Sequence, residues 1–208
     1  MATPLFLLFI GLGNPGKEYQ DTRHNIGEMV IRAFAAKHGW SFRTEAMFQA
    51  EIAKGRFLDA EIRLLFPTTY MNVSGRAVKK VLDTFAIPYH HCCVIVDDVY
   101  LAFGEMRLRC QGGTGGHNGL QSLEECLGTD SFPRLRMGIG EKTRGETLSE
   151  YVLGKFSLQE REQLKDFIDR GVEVLEKSVT TPLSHLMNVV NFCNKRALVK
   201  PGEEKEKA

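Results

Sequence analysis

Along this chain, short continuous apolar runs alternate with stretches of helical period. Leu5–Ile10 is apolar throughout and is followed by glycines, which predicts a strand buried on both faces. Between Met29 and His38, the apolar residues Met29, Val30, Ala33, Phe34 and Ala36 recur at helical spacing. Glu51–Ala53 and Ile62–Phe66 predict strands. Ala77–Phe85 predicts a helix built on Val78, Val81, Leu82 and Phe85. Cys92–Val96 predicts another buried strand, ending in Asp97 and Asp98. Charged and apolar residues alternate along Glu105–Cys110, as in a half-buried strand. Leu120–Leu127 then predicts a helix, Leu135–Ile139 a strand, Leu158–Lys177 a long amphipathic helix and Pro182–Leu198 a last helix.

This alternation predicts an α/β fold: a single domain over residues 1–199, with a mixed, largely parallel central sheet flanked by helices. The charged tail at 200–208 is expected to be disordered. Sheets of this kind bind ligands beyond the carboxyl ends of their strands. Gly11–Gly16, Asp97–Asp98 and the loop after Cys110 all follow strands, so they are expected to converge at one rim.

Composition narrows the setting. A chain of 208 residues suits one domain with a real core. A net charge of +1 neither requires nor excludes a nucleic-acid partner, so the distribution of charge must decide. The cysteines number five, two of them adjacent and none in C-x-x-C, which fits a reducing compartment. The run Leu5–Ile10 is too short for a membrane span or a signal peptide and has no basic segment before it. A cytoplasmic protein without membrane contact is expected.

Four segments carry candidate chemistry. In the first, Gly11, Gly13 and Gly16 spell G-x-G-x-x-G after a strand. Pro15 sits within the turn, polar aperiodic residues follow, and no acid ends a second strand at the expected distance. A dinucleotide site would need a helix opening inside the glycines. The better reading is a rigid turn presenting Asn14, then an ordered loop delivering His24 to the head of a helix. A lone histidine there is more often structural. The company of Asn14, Arg23 and Asn25 favours a general base near neutral pH. In the second segment, Phe66–Arg76, Asn72 or Ser74 could cap the helix that follows. Alternatively, the Asn72 amide faces a substrate or water, with Tyr70 and Met71 as apolar surface. In the third, Asp97 and Asp98 point to opposite faces, so only one can hold a histidine in its tautomer. In the fourth, Arg107 and Arg109 share a strand face and lead into a glycine loop with His117 and Asn118. Arg134 and Arg136 share a face beyond it. Arginines on both sides of one glycine loop read as a phosphate-binding surface.

Other motifs carry less. His90, His91, Cys92 and Cys93 would alternate faces in a strand, and no second ligand pair has zinc spacing, so no metal is expected. The chain has no G-x-S-x-G elbow and no Walker A sequence.

Together the four segments resemble the bacterial peptidyl-tRNA hydrolase family. That family's pattern runs G-L-G-N-P-G…Y…T-R-H-N, then P-x-T-[YF]-M-N-x-S-G, then D-D at a strand end, then G-x-x-G-G-H-N-G-L. All four appear here in order, between about Leu5 and Val190. The resemblance implies that His24 is the catalytic histidine and Asp97 the acid beside it. It implies that Asn14, Asn72 and Asn118 line the substrate cleft, with Tyr19, Met71 and His117 at further cleft positions. Arg107, Arg109 and Arg136 fall on basic positions that resemble the family's clamp for the terminal phosphate of tRNA. Two departures stand out. The acidic residue and proline that usually follow the two acids are replaced by Tyr100 and Ala102, and Thr114 stands where histidine or serine is common.

The implied activity is hydrolysis of the ester between a peptide and its tRNA, with water activated by His24 and without cofactor or metal. The implied partner is peptidyl-tRNA, and the small net charge fits a monomer that touches only the tRNA end. Three rivals stay open: an RNA-binding protein on the same fold, a nucleotide-dependent oxidoreductase and a hydrolase of small esters. A turnover assay, a dinucleotide-binding assay and a short N-acyl ester lacking tRNA discriminate among them.

Overall fold

In the computed structural model the described residues are 6–142 and 145–197. Leu5, Leu198 and the tail at 200–208 lie outside them. Seven strands form one sheet: β1 (Leu8–Gly11), β2 (Arg43–Glu45), β3 (Ala50–Phe57), β4 (Ala60–Pro67), β5 (Cys92–Asp98), β6 (Met106–Arg109) and β7 (Arg134–Gly138). Their order across the sheet is β2-β3-β4-β1-β5-β7-β6. The four inner strands β4, β1, β5 and β7 run parallel. β3 and β2 on one side and β6 on the other pair antiparallel with their neighbours. The sheet is therefore mixed and largely parallel, as the alternation of elements predicts.

Helices cover both faces. α1 (Ile26–Lys37), α4 (Leu148–Leu153), α5 (Leu158–Ser178) and α6 (Leu183–Ala197) bury apolar residues against one face, around Phe9, Ile95, Leu135 and Met137. α2 (Ser74–Thr84) and α3 (Asn118–Leu127) do so on the other, around Ile10, Val94 and Val96. Burial on both faces explains why β1 and β5 read as unbroken apolar runs.

Three differences from the sequence reading bear on the site. α1 begins at Ile26, and its buried side is Ile26, Val30, Ile31, Phe34 and Ala35 rather than the phase set by Met29 and Ala33. Gly27 is the reason the helix can start there. A Cβ at Gly27 would lie 2.2 Å from the Ile95 carbonyl oxygen, so only a bare backbone can seat the helix so close to β5. The strands expected at Glu51–Ala53 and Ile62–Phe66 are longer and form a hairpin, β3–β4. β6 runs antiparallel to β7, with Arg109 beside Arg134 and Met106 beside Met137. Its carboxyl end therefore lies away from the rim that holds Asp97. The loop after Cys110 does converge on that rim as expected, but it starts at the opposite end of the sheet and climbs back to reach it.

Candidate active site

The rim of the parallel strands holds a cavity of about 510 Å³, with Asn14, His24, Asp97 and His117 in its wall. Four chain segments deliver these groups. β1 ends in the turn carrying Asn14, the loop before α1 carries His24, and β5 ends in Asp97 and Asp98. The glycine loop supplies the fourth. Arg134 bonds the Gly112 carbonyl and Arg136 reaches the Thr114 carbonyl at 3.5 Å, which guides the chain from the far end of β6 back to His117.

Asp97 is the centre of the arrangement. Its Oδ1 lies 2.8 Å from His24 Nδ1 and 3.0 Å from His117 Nε2. All three side chains are buried. Burial pushes the Asp97 carboxyl up, but the charge and hydrogen bonds of the two imidazoles outweigh it and hold the group well below the usual carboxylate range. An ionised Asp97 only accepts, so both imidazoles donate to it. For His117 the remaining nitrogen confirms this tautomer, because Nδ1 accepts from the backbone N–H groups of Gly119 and Leu120 at 3.0 and 3.2 Å. His117 thus caps α3 and steadies Asp97 at once. For His24, donation through Nδ1 leaves the Nε2 lone pair in the cavity with no protein partner among the described residues. Burial pulls the His24 imidazole down, but the charge of Asp97 and its hydrogen bond more than offset that, and the net shift is upward from 6.5.

The same three groups could in principle ligate a metal, since their donor atoms lie within 4.8 Å of one another. Their hydrogen bonds argue against it. His117 Nε2 must carry a proton while Nδ1 accepts two N–H groups, and both imidazoles already contact one carboxylate oxygen. His90 and His91 precede β5 in a single 3-10 turn, and Cys92 and Cys93 are buried in the strand. Burial pushes the Cys92 thiol up to about 12, far from the thiolate a metal needs.

The asparagines differ in what they have to spare. Asn14 Oδ1 accepts from the Met71 backbone N–H at 2.8 Å, so the amide is oriented with its Nδ2 left as a donor. Its own main chain is clamped by Asn25, whose side chain accepts from Asn14 N and donates to Asn14 O, both at 2.9 Å. Asn72 and Asn118 are exposed and also line the cavity. Neither Asn72 nor Ser74 caps α2, which has no side-chain cap, so the Asn72 amide is not consumed by the helix. Met71 is buried in the wall and Tyr70 is exposed at the mouth. Tyr19 stands one layer back, edge-on to Tyr70 with centroids 6.4 Å apart.

The Gly11–Gly16 run opens no helix. It leads into a 3-10 turn at Lys17–Tyr19, and α1 waits until Ile26, so the dinucleotide geometry is absent there.

The arginines separate into two classes. Arg107 and Arg109 are exposed and line a second depression beside the cavity, together with Arg136. Arg136 borders both depressions, with Nε 2.8 Å from Asp98 Oδ2 in an ion pair whose angle falls short of a hydrogen bond. Asp97 and Asp98 thus divide as their alternation requires, one serving the histidines and the other Arg136. Arg134 corrects the reading of four arginines on one binding face. It is fully buried, bonds the carbonyls of Gly112, Asp130 and Phe132, and lies 4.2 Å over the Phe132 ring, so it holds the loop instead of facing a ligand.

One wall escaped the sequence reading. α4 contributes Leu148, Val152 and Leu153 to the cavity. Its signal was the capping box Thr147-x-x-Glu150, with both reciprocal bonds present. Arg23 ties this wall to the His24 loop by donating to the Lys155 carbonyl at 2.8 Å and to Glu160 at 2.9 Å.

Comparison with known proteins identifies the family. The family model described as peptidyl-tRNA hydrolase matches residues 8–199. The chain is 41% identical over 184 residues to the peptidyl-tRNA hydrolase of Geobacillus thermodenitrificans, covering 88% of this chain and 98% of that one. It is 43% identical to that of Gloeobacter violaceus, covering 88% and 93%. The crystal structure of peptidyl-tRNA hydrolase from Acinetobacter baumannii superimposes with a TM-score of 0.85 at 33% identity, covering 92% of this chain and 97% of the other.

Proposed function

Because this chain belongs to the peptidyl-tRNA hydrolase family, we propose that it hydrolyses the ester between the peptide and the tRNA of peptidyl-tRNA, with His24 as general base. The observation that carries this reading is the His24–Asp97 contact, which leaves the Nε2 lone pair in the cavity. Nε2 takes a proton from water as that water attacks the ester carbonyl. The tetrahedral oxyanion accepts a hydrogen bond from Asn14 Nδ2 or from the Asn72 amide. As the intermediate collapses, the ribose oxygen leaves with the proton held by His24, giving a tRNA for reuse in translation and a peptide carboxylic acid that then loses its proton to solvent. Asp97 stabilises the transient imidazolium and His117 keeps Asp97 in place. An ester needs no more than an activated water, and the donor set above favours a reaction without metal or cofactor.

Asn72, Asn118 and Tyr70 at the mouth suit a peptide gripped through its backbone amides, with Met71 as apolar floor and Tyr19 behind Tyr70. Arg107 and Arg109 suit phosphates of the tRNA end, with Arg136, paired to Asp98, at their border. This assignment fits a monomer in the cytoplasm; among the described residues no helix is long and apolar enough to cross a membrane. The test is release of labelled N-acetylaminoacyl groups from tRNA by wild type and His24→Ala. Turnover by wild type that falls by a factor of about 10² or more in a folded variant supports the reading. An unaffected variant removes His24 from the mechanism. A wild type that binds tRNA without turnover moves the protein to RNA binding.

A further inference from the structure

Tyr100 is 73% exposed, and its backbone is fixed beside the site. Its backbone N–H donates to Asp98 Oδ1 at 2.9 Å, while Asp98 Oδ2 pairs with Arg136. Across from it the glycine loop passes so closely that a Cβ at Gly115 would lie 2.7 Å from Arg136 Nη2 and 3.8 Å from Tyr100 Cε2. Gly115 has φ +63, which a side chain rarely adopts. An aromatic ring, a guanidinium and a bare stretch of backbone therefore lie side by side.

Their location matters more than the exposure, since single exposed apolar residues are ordinary. Asp98 and Arg136 border both the His24 cavity and the Arg107–Arg109 depression, so they form the divide between the two. When an RNA places its 3′ ester at His24 and phosphates of the same molecule at Arg107 and Arg109, the unpaired strand leading up to the ester crosses this divide. The divide is poorly suited to phosphate, because Asp98 offsets the charge of Arg136. It is well suited to the flat face of a base, which stacks on aromatic rings and guanidinium planes.

We infer that Tyr100, beside Arg136 and Gly115, is a stacking platform for an unpaired nucleobase of the RNA strand that leads up to the scissile ester. The inference rests on the proposed function and deepens it, giving a role to a residue at which this chain departs from the pattern it otherwise resembles.

The experiment compares wild type, Tyr100→Ala, Tyr100→Phe and Tyr100→Leu on two substrates: N-acetylaminoacyl-tRNA and the N-acetylaminoacyl ester of adenosine alone. Stacking predicts that Tyr100→Ala raises KM for the tRNA ester by about 5- to 100-fold, with kcat much less affected. The loss on the nucleoside ester is smaller by at least about fivefold, because the upstream bases are missing. Phe restores the tRNA KM and Leu does not. An unchanged KM in Tyr100→Ala, equal losses on both esters, or Leu serving as well as Phe overturns the platform. A wild type active on the tRNA ester with an unresponsive Tyr100 series overturns this inference alone. A wild type with no turnover on either ester overturns the hydrolase reading and the platform with it.

Discussion

His24 Nδ1 stands 2.8 Å from Asp97 Oδ1, and this contact decides which nitrogen of the imidazole faces the cavity. Asp97→Asn keeps the size of the side chain but can present an N–H where an acceptor is needed. We expect kcat to fall on the order of 10²-fold or more, with the fold retained by circular dichroism. In wild type, kcat/KM should rise with pH through the His24 pKa, which Asp97 holds above its ordinary value. Removing the charge of Asp97 removes the main upward influence, so the remaining acid limb in Asp97→Asn moves to lower pH. A limb that stays in place in a pH–rate series would separate His24 from the titrating group.

The same pair contributes to stability in a definite window. The pKa of His24 is raised on folding, so its contribution is full below 6.5 and is lost as pH rises through the folded value. The pKa of Asp97 is lowered, so its contribution is full above 3.8 and is lost as pH falls through the folded value. Thermal unfolding should therefore show a larger wild-type advantage over Asp97→Asn at about pH 5 than at about pH 9. Equal Tm differences at the two values would contradict the coupling.

His117 carries two tasks that substitution can separate. His117→Ala loses the α3 cap and a donor to Asp97, and should cost about 1–2 kcal/mol in urea unfolding as well as activity. His117→Asn can still accept from the first turn of α3, but its shorter side chain does not reach Asp97. It should recover most of the stability and little of the kcat.

Asn14→Asp tests the oxyanion donor. The carboxylate can still accept from Met71 N, as Asn14 Oδ1 does, but it has no N–H to give. Loss of one such donor predicts a kcat lower by about 10²- to 10³-fold. A near-normal kcat would leave Asn72 as the donor.

Arg23 joins the His24 loop to the α4–α5 wall through Glu160 and the Lys155 carbonyl, with 11% and 19% of the Arg23 and Glu160 side chains exposed. Arg23→Ala should cost about 2–4 kcal/mol by chemical unfolding, less than a fully buried pair because some solvent reaches it. Combined with Glu160→Ala in a double-mutant cycle, the two changes should be clearly non-additive.

The legible part of this architecture was what periodicity and strand parity encode. Apolar runs located β1 and β5, and alternation along β5 separated Asp97 from Asp98. Parity does not say which strand faces carry water, and so it groups Arg134 with the exposed arginines although it is buried against Phe132 and the Gly112 carbonyl. Nor does an alternating pattern show strand direction, so the long climb of the loop after β6 back to the rim is not encoded in it. β2 (Arg43–Glu45) is three residues long with no buried position, too little for any pattern. α4 has six residues, too few to establish a helical period, and only its cap sequence could have revealed it.

The close seating of Gly27 against the Ile95 carbonyl has one more consequence. The head of α1, and with it His24, is referenced to β5 by main chain against main chain. Side chains deeper along α1, such as Val30 and Phe34, set how much work it takes to unfold the domain. They have little leverage over where the imidazole stands. Repacking that core should therefore tune durability without detuning the base, whereas one methyl group at position 27 would shift the register of the whole site.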